Sequence, residues 1–489
     1  INSRNISIIY LFLYISLLVG FYFNEDFTLG SKTDYLSFRS NIFLSENDFV
    51  HSLLNFDKLS GGHPLLIYQI LLLLLEKLPF SENFTRLIFL HFSLLLPFFL
   101  YLCLKIKYEF KANDIKILLP TIIFFSPYFR SASIWLLSEN ISLIFLSISL
   151  YFFLKYEKTE KKKLSFIILN TLFLALAAYI RPNYSLFCIY FFIRYYFDLN
   201  ISYKLLFYIF INILLSFPAI YYIFVLDIDF VSAFLFRSEH NVLLDFNLSG
   251  FVNQFSFFLT ILFFYSIPFM LLNIRQNFQM SNFKVENYVF SIIFLFLLIF
   301  YFDYNIPYGG GIFFKLSNLI FENNYLFYIF SLISLNAFIL IFHGSIKSKD
   351  TIFDLALLLT LFLLDIDGVF YHETYDPLLY FLFFLLIKNK TYSNFTKKLT
   401  DKKFILLILF CTSFYALSIL KTTLSNWTIL ILIIKNKLIL YYICCQIYWS
   451  GLLKNAWTNE KFIQKIEPLN VEKKLPVGSN GIKNVKTNK

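Results

Sequence analysis

Acidic residues follow the first apolar stretch of the chain directly, and they are the side chains best suited to chemistry. Glu25 and Asp26 close that stretch, and Asp34 comes shortly after them. A carboxylate acts as a general base when it lies within hydrogen-bond reach of a hydroxyl proton. A solvated helix end is the simpler explanation, but charge at the edge of hydrocarbon costs free energy and usually has a purpose. The sequence therefore favours a functional role for Glu25, Asp26 and Asp34.

Other polar residues near the ends of apolar stretches supply basic groups for anion binding. Arg181 is the most informative of them, with a snorkelling interface anchor and a phosphate ligand as equally good interpretations. The residues predicted to bind substrate are His63, Glu139, Arg181, Asn183, His372 and Tyr375. The wider set of polar candidates on the same predicted face also contains Arg130, Asp303, Gly309 to Gly311, Lys315, Glu373 and Asp376.

The composition places these residues on membrane helices. Of the 489 residues, 58% are hydrophobic and only 15% are charged, whereas about a quarter are charged in an ordinary soluble domain. Apolar stretches near the length that spans a bilayer recur along almost the whole chain. We expect an all-α polytopic membrane protein with about 13 or 14 spans in residues 1–451.

Lysine and arginine bias orients the predicted spans. Residues 24–63 carry three basic and six acidic residues, whereas Lys388–Lys403 carries six and one. Because cytoplasmic loops are rich in Lys and Arg, residues 24–63 should form an extracytoplasmic catalytic loop, and residues 452–489, with eight Lys and three Glu, a basic cytoplasmic tail. The net charge of +11 thus reflects membrane orientation, and nucleic acid is not expected as a partner. A bacterial inner membrane with the active site facing outward is the expected location.

A parity argument concerns the two apolar stretches after the outer loop, Pro64–Leu78 and Phe84–Leu104. The next positive segment requires that only one of them cross the membrane. Pro64–Leu78 is the shorter one and carries Glu76 and Lys77. Short apolar segments of this kind often lie at the interface or re-enter it, so we predict a juxtamembrane helix there on the outer face.

Cysteines and metal ligands give no strong signal. The five cysteines lie in or beside apolar stretches without disulfide or zinc spacing. Acid pairs could bind a divalent cation, but no complete ligand set is readable. We therefore predict no metal site and leave a divalent cation as an open alternative.

The order of short motifs in the first half resembles the GT-C superfamily of membrane glycosyltransferases, which includes protein O-mannosyltransferases and aminoarabinose transferases. The resemblance covers roughly residues 6–196. The motifs that carry it are the acidic pair Glu25-Asp26, then His63-Pro64-Leu65-Leu66-Ile67-Tyr68, Thr85-Arg86-Leu87, Ser126-Pro127-Tyr128 and Arg181-Pro182-Asn183.

The resemblance implies transfer of a sugar from a polyprenyl-phosphate donor to a lipid, glycan or protein acceptor at the outer face. It also implies that Asp26 is the catalytic base, with Glu25 or Asp34 as substitutes. Here the order is Glu25-Asp26, where the family has Asp-Glu or Asp-x-Asp. This departure leaves the identity of the base open.

Two other classes of protein remain as alternatives. A polysaccharide polymerase or another enzyme of lipid-linked sugars would also be polytopic, although its large outer loop usually falls in the middle of the chain. A transporter or flippase would be expected to carry ionisable residues within its spans and a repeated span pattern. Neither feature is evident in this sequence.

Overall fold

The structure, a computed structural model, describes residues 3–28, 30–45, 71, 75, 77, 79–111, 114–224, 248–271, 285–304, 309–343, 349–364 and 370–423. Every regular element in these ranges is a helix, which confirms the prediction of an all-α fold. His63, nearly all of Pro64–Leu78 and the tail at 452–489 lie outside the described residues.

Seventeen α-helices are described. In chain order they are α1 (Ser3–Tyr22), α2 (Ser31–Ser45), α3 (Glu82–Ser93), α4 (Leu95–Tyr108), α5 (Pro127–Ile134), α6 (Ser138–Lys158), α7 (Leu164–Ala178), α8 (Phe187–Leu199), α9 (Tyr203–Phe224), α10 (Leu248–Leu271), α11 (Val285–Tyr301), α12 (Gly311–Phe321), α13 (Tyr325–His343), α14 (Lys349–Phe362), α15 (Leu378–Leu385), α16 (Lys390–Lys397) and α17 (Asp401–Thr423). Short 3₁₀ helices cover Ile115–Phe125, Pro182–Leu186 and His372–Thr374.

Six helical stretches within the described ranges are long and apolar enough to cross a membrane. A seventh results if the 3₁₀ helix Ile115–Phe125 and α5, which meet at a bend of 67°, form one broken span. The predicted span Phe84–Leu104 corresponds to α3 and α4, which together form one candidate span at Glu82–Tyr108. Shorter apolar helices are also present. The chain is thus an integral membrane protein, while the count of 13 or 14 spans stays a prediction.

Aromatic packing holds the centre of the bundle together. Helix α10 is the candidate span with the largest buried share, 78%, whereas only 11% of the candidate span in α9 is buried. Phe257 of α10 packs at 4.7–5.8 Å, centroid to centroid, against five aromatic rings, those of Phe302, Tyr304, Phe314, Phe327 and Phe370. Such offset and edge-on pairs add to the dispersion energy of burial, so α10 is a central element and α9 faces outward.

The segment that follows α1, predicted to form an outer loop, contains a helix that the sequence analysis did not anticipate. Helix α2 begins at Ser31 and carries Asp34 in its first turn. Tyr35 and Phe38, three residues apart, are both buried, and side chains with this spacing share one face of a helix. Asp34 is therefore held on a helix packed against the bundle, whereas the sequence suggested a loose loop position.

The end of the bundle remote from Glu139 is basic, and ion pairs connect its helices. Arg194 of α8 pairs with Glu157 of α6, and Lys388 lies 3.7 Å from Glu157 and 3.8 Å from Asp350. The backbone N–H of Lys388 also donates to Asp354 at 2.8 Å. These contacts fix the ends of α6, α8, α14 and α15 relative to one another, at the end of α6 remote from Glu139.

Candidate active site

Two arginines, Arg86 and Arg130, anchor the segment that follows α1. Asn24 lies two residues beyond the end of α1 and has φ at 52°, a left-handed conformation that asparagine tolerates well near helix ends. Its Oδ1 accepts hydrogen bonds at 3.1 Å from both Nη atoms of Arg86. The guanidinium of Arg86 also stacks over Trp135 at 3.9 Å and donates from Nε to the carbonyl of Ile134. This arrangement joins the end of α1 to the start of α3 and to the end of α5.

Glu25 makes a buried bidentate ion pair with Arg130 of α5. Nε and Nη2 of Arg130 donate to Oε1 and Oε2 of Glu25, both at 2.6 Å, and the two side chains are 2% and 5% exposed. Arg130 also donates from Nη2 to the carbonyl of Ser16, and the ring of Tyr415 from α17 lies 5.0 Å from it. Because its carboxylate is fully engaged, Glu25 is an anchor in this state of the protein.

Asp26 stabilises the beginning of α2. Its Oδ2 accepts from the backbone N–H of Lys32 at 3.1 Å, and its Oδ1 accepts from the Thr28 hydroxyl at 2.7 Å. An acidic group at a helix N-terminus satisfies free N–H donors and interacts well with the helix dipole. Asp26 thus positions the helix that carries Asp34.

A pocket that opens to solvent lies beside α2. Carboxylates from three separate parts of the chain line it: Asp34 from α2, Glu139 from the first turn of α6, and Glu373 and Asp376 from the segment before α15. Neutral polar residues of the lining are Thr28, Ser31, Tyr128, Asn140, Tyr184 and Thr374. Its enclosed space is narrow, about 20 Å³, which is room for one or two water molecules.

Burial raises the pKa values of three of these carboxyls, and repulsion from other carboxylates adds to the shift in Asp34 and Glu373. Partial desolvation, followed by the charges of Glu139 and Asp26, raises the pKa of Asp34 to about 6. Desolvation, with Glu139 as the strongest charged neighbour, raises the pKa of Glu373 to about 7. Desolvation also raises the pKa of Asp376 to about 7, although hydrogen bonds from Ser126 and Tyr265 oppose the shift. Carboxyls of this kind can exchange protons near neutral pH.

Arg181 supplies positive charge next to this pocket. Its Nη2 lies 3.5 Å from Oε1 of Glu139, and both side chains are partly exposed. Asn183, two residues further, donates from Nδ2 to the carbonyl of Leu364. Of these predicted binding residues, Glu139 lines the pocket, Arg181 pairs with it, and Asn183 contacts the backbone at the end of α14.

His372 and Tyr375 contact the protein core. His372 is buried, and its Nε2 accepts the backbone N–H of Ile312 at 3.2 Å. Burial lowers the pKa of His372 to about 3, with Lys315 contributing, so the ring is neutral. Tyr375 is fully buried and donates to the carbonyl of Leu361.

The glycine run 309–311 makes room for the contact between the backbone N–H of Ile312 and the His372 ring. All three glycines have φ near 75°, a conformation that glycine adopts at little cost. A Cβ on Gly311 would lie only 3.3 Å from His372 Nε2. The run therefore lets the start of α12 approach the histidine ring closely.

Glu373 and Asp376 are the pocket residues that the sequence analysis grouped among many candidates without selecting them. They stand three residues apart in His372-Glu373-Thr374-Tyr375-Asp376, as do His372 and Tyr375. In a turn of helix, residues with this spacing share a face, so one pair meets the pocket and the other pair meets the core. The spacing predicts that Glu373 and Asp376 share one face and that His372 and Tyr375 share another. It does not predict which pair faces the pocket and which faces the core.

The arrangement defines a class of protein, an all-helical integral membrane protein with a carboxylate-lined pocket at one end of its bundle. In the described part of the chain, no three His, Cys, Asp or Glu side chains are grouped so that they could hold a metal ion. No family model matches the sequence, and neither a curated protein nor a solved structure matches it.

Proposed function

We propose that the protein is a membrane glycosyltransferase that moves a sugar from a polyprenyl-phosphate donor to a hydroxyl of a lipid, glycan or protein acceptor. The observation that carries this proposal is the pocket itself, in which four carboxylates and a neighbouring arginine meet at one end of the helices. A membrane-edge pocket suits a donor whose chain lies in the bilayer and whose sugar lies in water. We further propose that this end faces outward, since the basic end lies opposite.

Asp34 is the carboxylate best suited to act as the general base. Asp34 lines the pocket, whereas Glu25 is committed to Arg130 and Asp26 to the start of α2. A base must lie within hydrogen-bond reach of the acceptor hydroxyl and titrate near the working pH. The exposed Asp34, with its pKa of about 6, meets the second condition better than an ordinary aspartate. This proposal replaces Asp26, the base implied by the family resemblance, with Asp34.

Arg181 is the proposed ligand of the leaving phosphate. A guanidinium offers paired donors to phosphate oxygens, and Arg181 is partly exposed beside the pocket. Positive charge at that position stabilises the negative charge that develops on the phosphate in the transition state. We expect Arg181→Lys to keep part of the activity and Arg181→Ala to lose more of it.

The test is sugar transfer by the purified full-length chain in lipid nanodiscs, with polyprenyl-phosphate sugars as donors. Asp34→Asn should lower the rate by about 10²- to 10⁴-fold. Asp26→Asn should keep most of the rate, because Asn is as good a helix cap as Asp. Asp401→Asn, at the start of α17, is the matched control for a change of Asp to Asn.

Two outcomes would contradict these assignments. If Asp26→Asn is inactive while Asp34→Asn is active, the base is Asp26 as the resemblance implies. If the wild-type protein transfers no sugar from any polyprenyl phosphate yet moves a lipid-linked sugar across the membrane, the transporter alternative replaces the glycosyltransferase.

A further inference from the structure

Two lysines meet at one aromatic ring where α6 and α7 join, at the basic end of the bundle. Residues 155–163, from the last turn of α6 to the start of α7, contain five lysines and two glutamates. Lys155 Nζ lies 4.5 Å from the ring centre of Tyr151 and 6.0 Å from that of Phe166. Lys163 Nζ also lies 6.0 Å from the centre of the Phe166 ring. Lys155 and Lys163 are here called the lysine pair.

The positive charge of the lysine pair is not neutralised by the acids around it. At this end of α6, Glu157 pairs with Arg194, and Glu109 pairs with Lys158. The first turn of α7 contains no acid. Among the residues that the structure describes, the lysine pair has no ion-pair partner. Two ammonium groups at this position can therefore bind an anion that comes from outside the chain.

A row of phenyl rings runs from the lysine pair along the surface between α6 and α7. It consists of four half-buried residues, here called the aromatic strip: Phe166, Phe152, Phe173 and Phe145. Neighbouring rings of the strip stack at 5.8–6.4 Å, centroid to centroid, with interplanar angles of 17–27°. Such stacked rings form a continuous apolar face.

The aromatic strip has the depth of one leaflet of a bilayer. Lys155 and Phe145 are ten residues apart on α6, which corresponds to about 15 Å along a helix. The hydrocarbon core of a bilayer is about 30 Å thick. The strip therefore extends from the lysine pair to about the middle of the membrane, as one acyl chain of a lipid does.

We propose that the lysine pair and the aromatic strip bind an anionic phospholipid from the leaflet at the basic end. The lipid phosphate contacts the two ammonium groups, and one acyl chain lies along the strip. Anionic lipids attract basic side chains at the membrane surface, whereas a free phosphate would use the lysine pair alone. A partner helix fits this face less well, because helices in membranes associate through small residues and the strip consists of phenylalanines.

The binding test is native mass spectrometry of the full-length protein in detergent, with phosphatidylglycerol and phosphatidylcholine of identical acyl chains. Phosphatidylglycerol should bind at least about tenfold more tightly, because each lysine near an anionic headgroup contributes about a fivefold factor. For the same reason, Lys155→Gln combined with Lys163→Gln should weaken its binding by about 25-fold. Lys397→Gln combined with Lys398→Gln removes the same charge from exposed positions at the end of α16 and should leave the binding unchanged.

Three results of this experiment would overturn the inference. The first is equal binding of the two lipids, and the second is an equal loss of binding in the α16 control. The third is displacement of the lipid by glycerol 3-phosphate at equal concentration, which would assign a site for a soluble phosphate. Dimers that dissociate on Phe152→Ala would also overturn it, since the strip would then be a protein interface.

Labelling of the wild-type protein decides the question independently of any variant. Phosphatidylglycerol with a photoreactive diazirine near the end of one acyl chain should label α6 and α7 around Phe145 and Phe173, at the end of the strip remote from the lysine pair. Helix α9 is the comparison surface, because its Phe210 and Phe217 are exposed without a lysine pair beside them. Labelling that is as strong on α9 as on the strip would overturn the inference.

Discussion

At the residue scale, three neighbouring acids have three different environments. Glu25 is locked to Arg130, Asp26 accepts hydrogen bonds at the start of α2, and Asp34 borders the pocket. All three looked alike in the sequence because residue type and position alone do not reveal partners. Only the positions of Arg130 and α2 in space distinguish an anchor, a helix cap and a candidate base.

The proposed base predicts how the transfer rate depends on pH. A carboxyl with a pKa of about 6 is protonated below that pH and cannot accept the acceptor proton. The rate should therefore fall about tenfold per pH unit below pH 6, and this dependence should vanish from the residual activity of Asp34→Asn. A flat wild-type profile between pH 5 and pH 7 would contradict the assignment.

Asp376 predicts a pH-dependent stability. Its pKa is about 7 in the folded state and about 3.9 in an unfolded chain. The folded state therefore holds a proton that the unfolded state releases, and stability should fall as pH rises from about 4 to 7. Asp376→Asn removes this penalty, so its thermal midpoint should exceed that of the wild type at pH 8 and approach it at pH 4.5. A difference that does not change with pH would refute this account.

The ion pair of Glu25 and Arg130 predicts that a single variant loses more folding stability than the double variant. Arg130→Met leaves a buried carboxylate without its partner, which typically costs about 3–5 kcal/mol. Glu25→Gln combined with Arg130→Met removes both charges and should cost clearly less. Thermal unfolding in detergent measures the stability of both variants. Equal losses of stability would show that these side chains stabilise the protein by packing rather than by charge.

At the element scale, the end of α1 depends on a glycine that contacts this ion pair. A Cβ on Gly20 would overlap the Glu25 carboxylate and lie 2.8 Å from Arg130 Nη2. Gly20→Ala should therefore lower both stability and transfer rate, even though alanine is the better helix former. Gly30→Ala, whose Cβ would have only an ordinary contact at 3.8 Å with Asp34, is the matched control and should behave like the wild type.

The long apolar helices could be predicted from the sequence, whereas α2 and the pocket could not. Helices such as α6 and α10 can be recognised in the sequence because membrane spans need continuous apolar length. Helix α2 is short and mixed in composition, and its stability comes from Asp26, Tyr35 and Phe38. The pocket unites residues as distant as Asp34 and Asp376, and in a single sequence no pattern encodes that contact.

At the scale of the whole molecule, contacts near the pocket bear on the predicted threading. Arg39 of α2 pairs with Glu82 at the start of α3, and Asn24 is bonded to Arg86. The described residues that flank 46–80 therefore lie at the same end of the bundle. Nearly all of Pro64–Leu78 lies outside the described residues, so a juxtamembrane helix there stays a prediction.

Cysteine labelling tests this threading directly. Lys32→Cys and Ser81→Cys, both at exposed positions near the pocket, should react with an impermeant thiol reagent in intact cells. Lys161→Cys, at the exposed basic end, should react only after permeabilisation. Labelling of Lys32→Cys without Ser81→Cys in intact cells would mean that Pro64–Leu78 crosses after all.

The contact of Tyr415 with the Glu25 and Arg130 pair also has a consequence for biosynthesis. Tyr415 lies in α17, the last described helix, and its ring also meets that of Phe27 at 5.4 Å. A ribosome delivers Glu25 and Arg130 to the membrane long before it delivers Asp376 and Tyr415. The contact of Tyr415 with this ion pair can therefore form only after α17 has been synthesised. A nascent chain that ends before α17 therefore lacks the Tyr415 ring beside this ion pair.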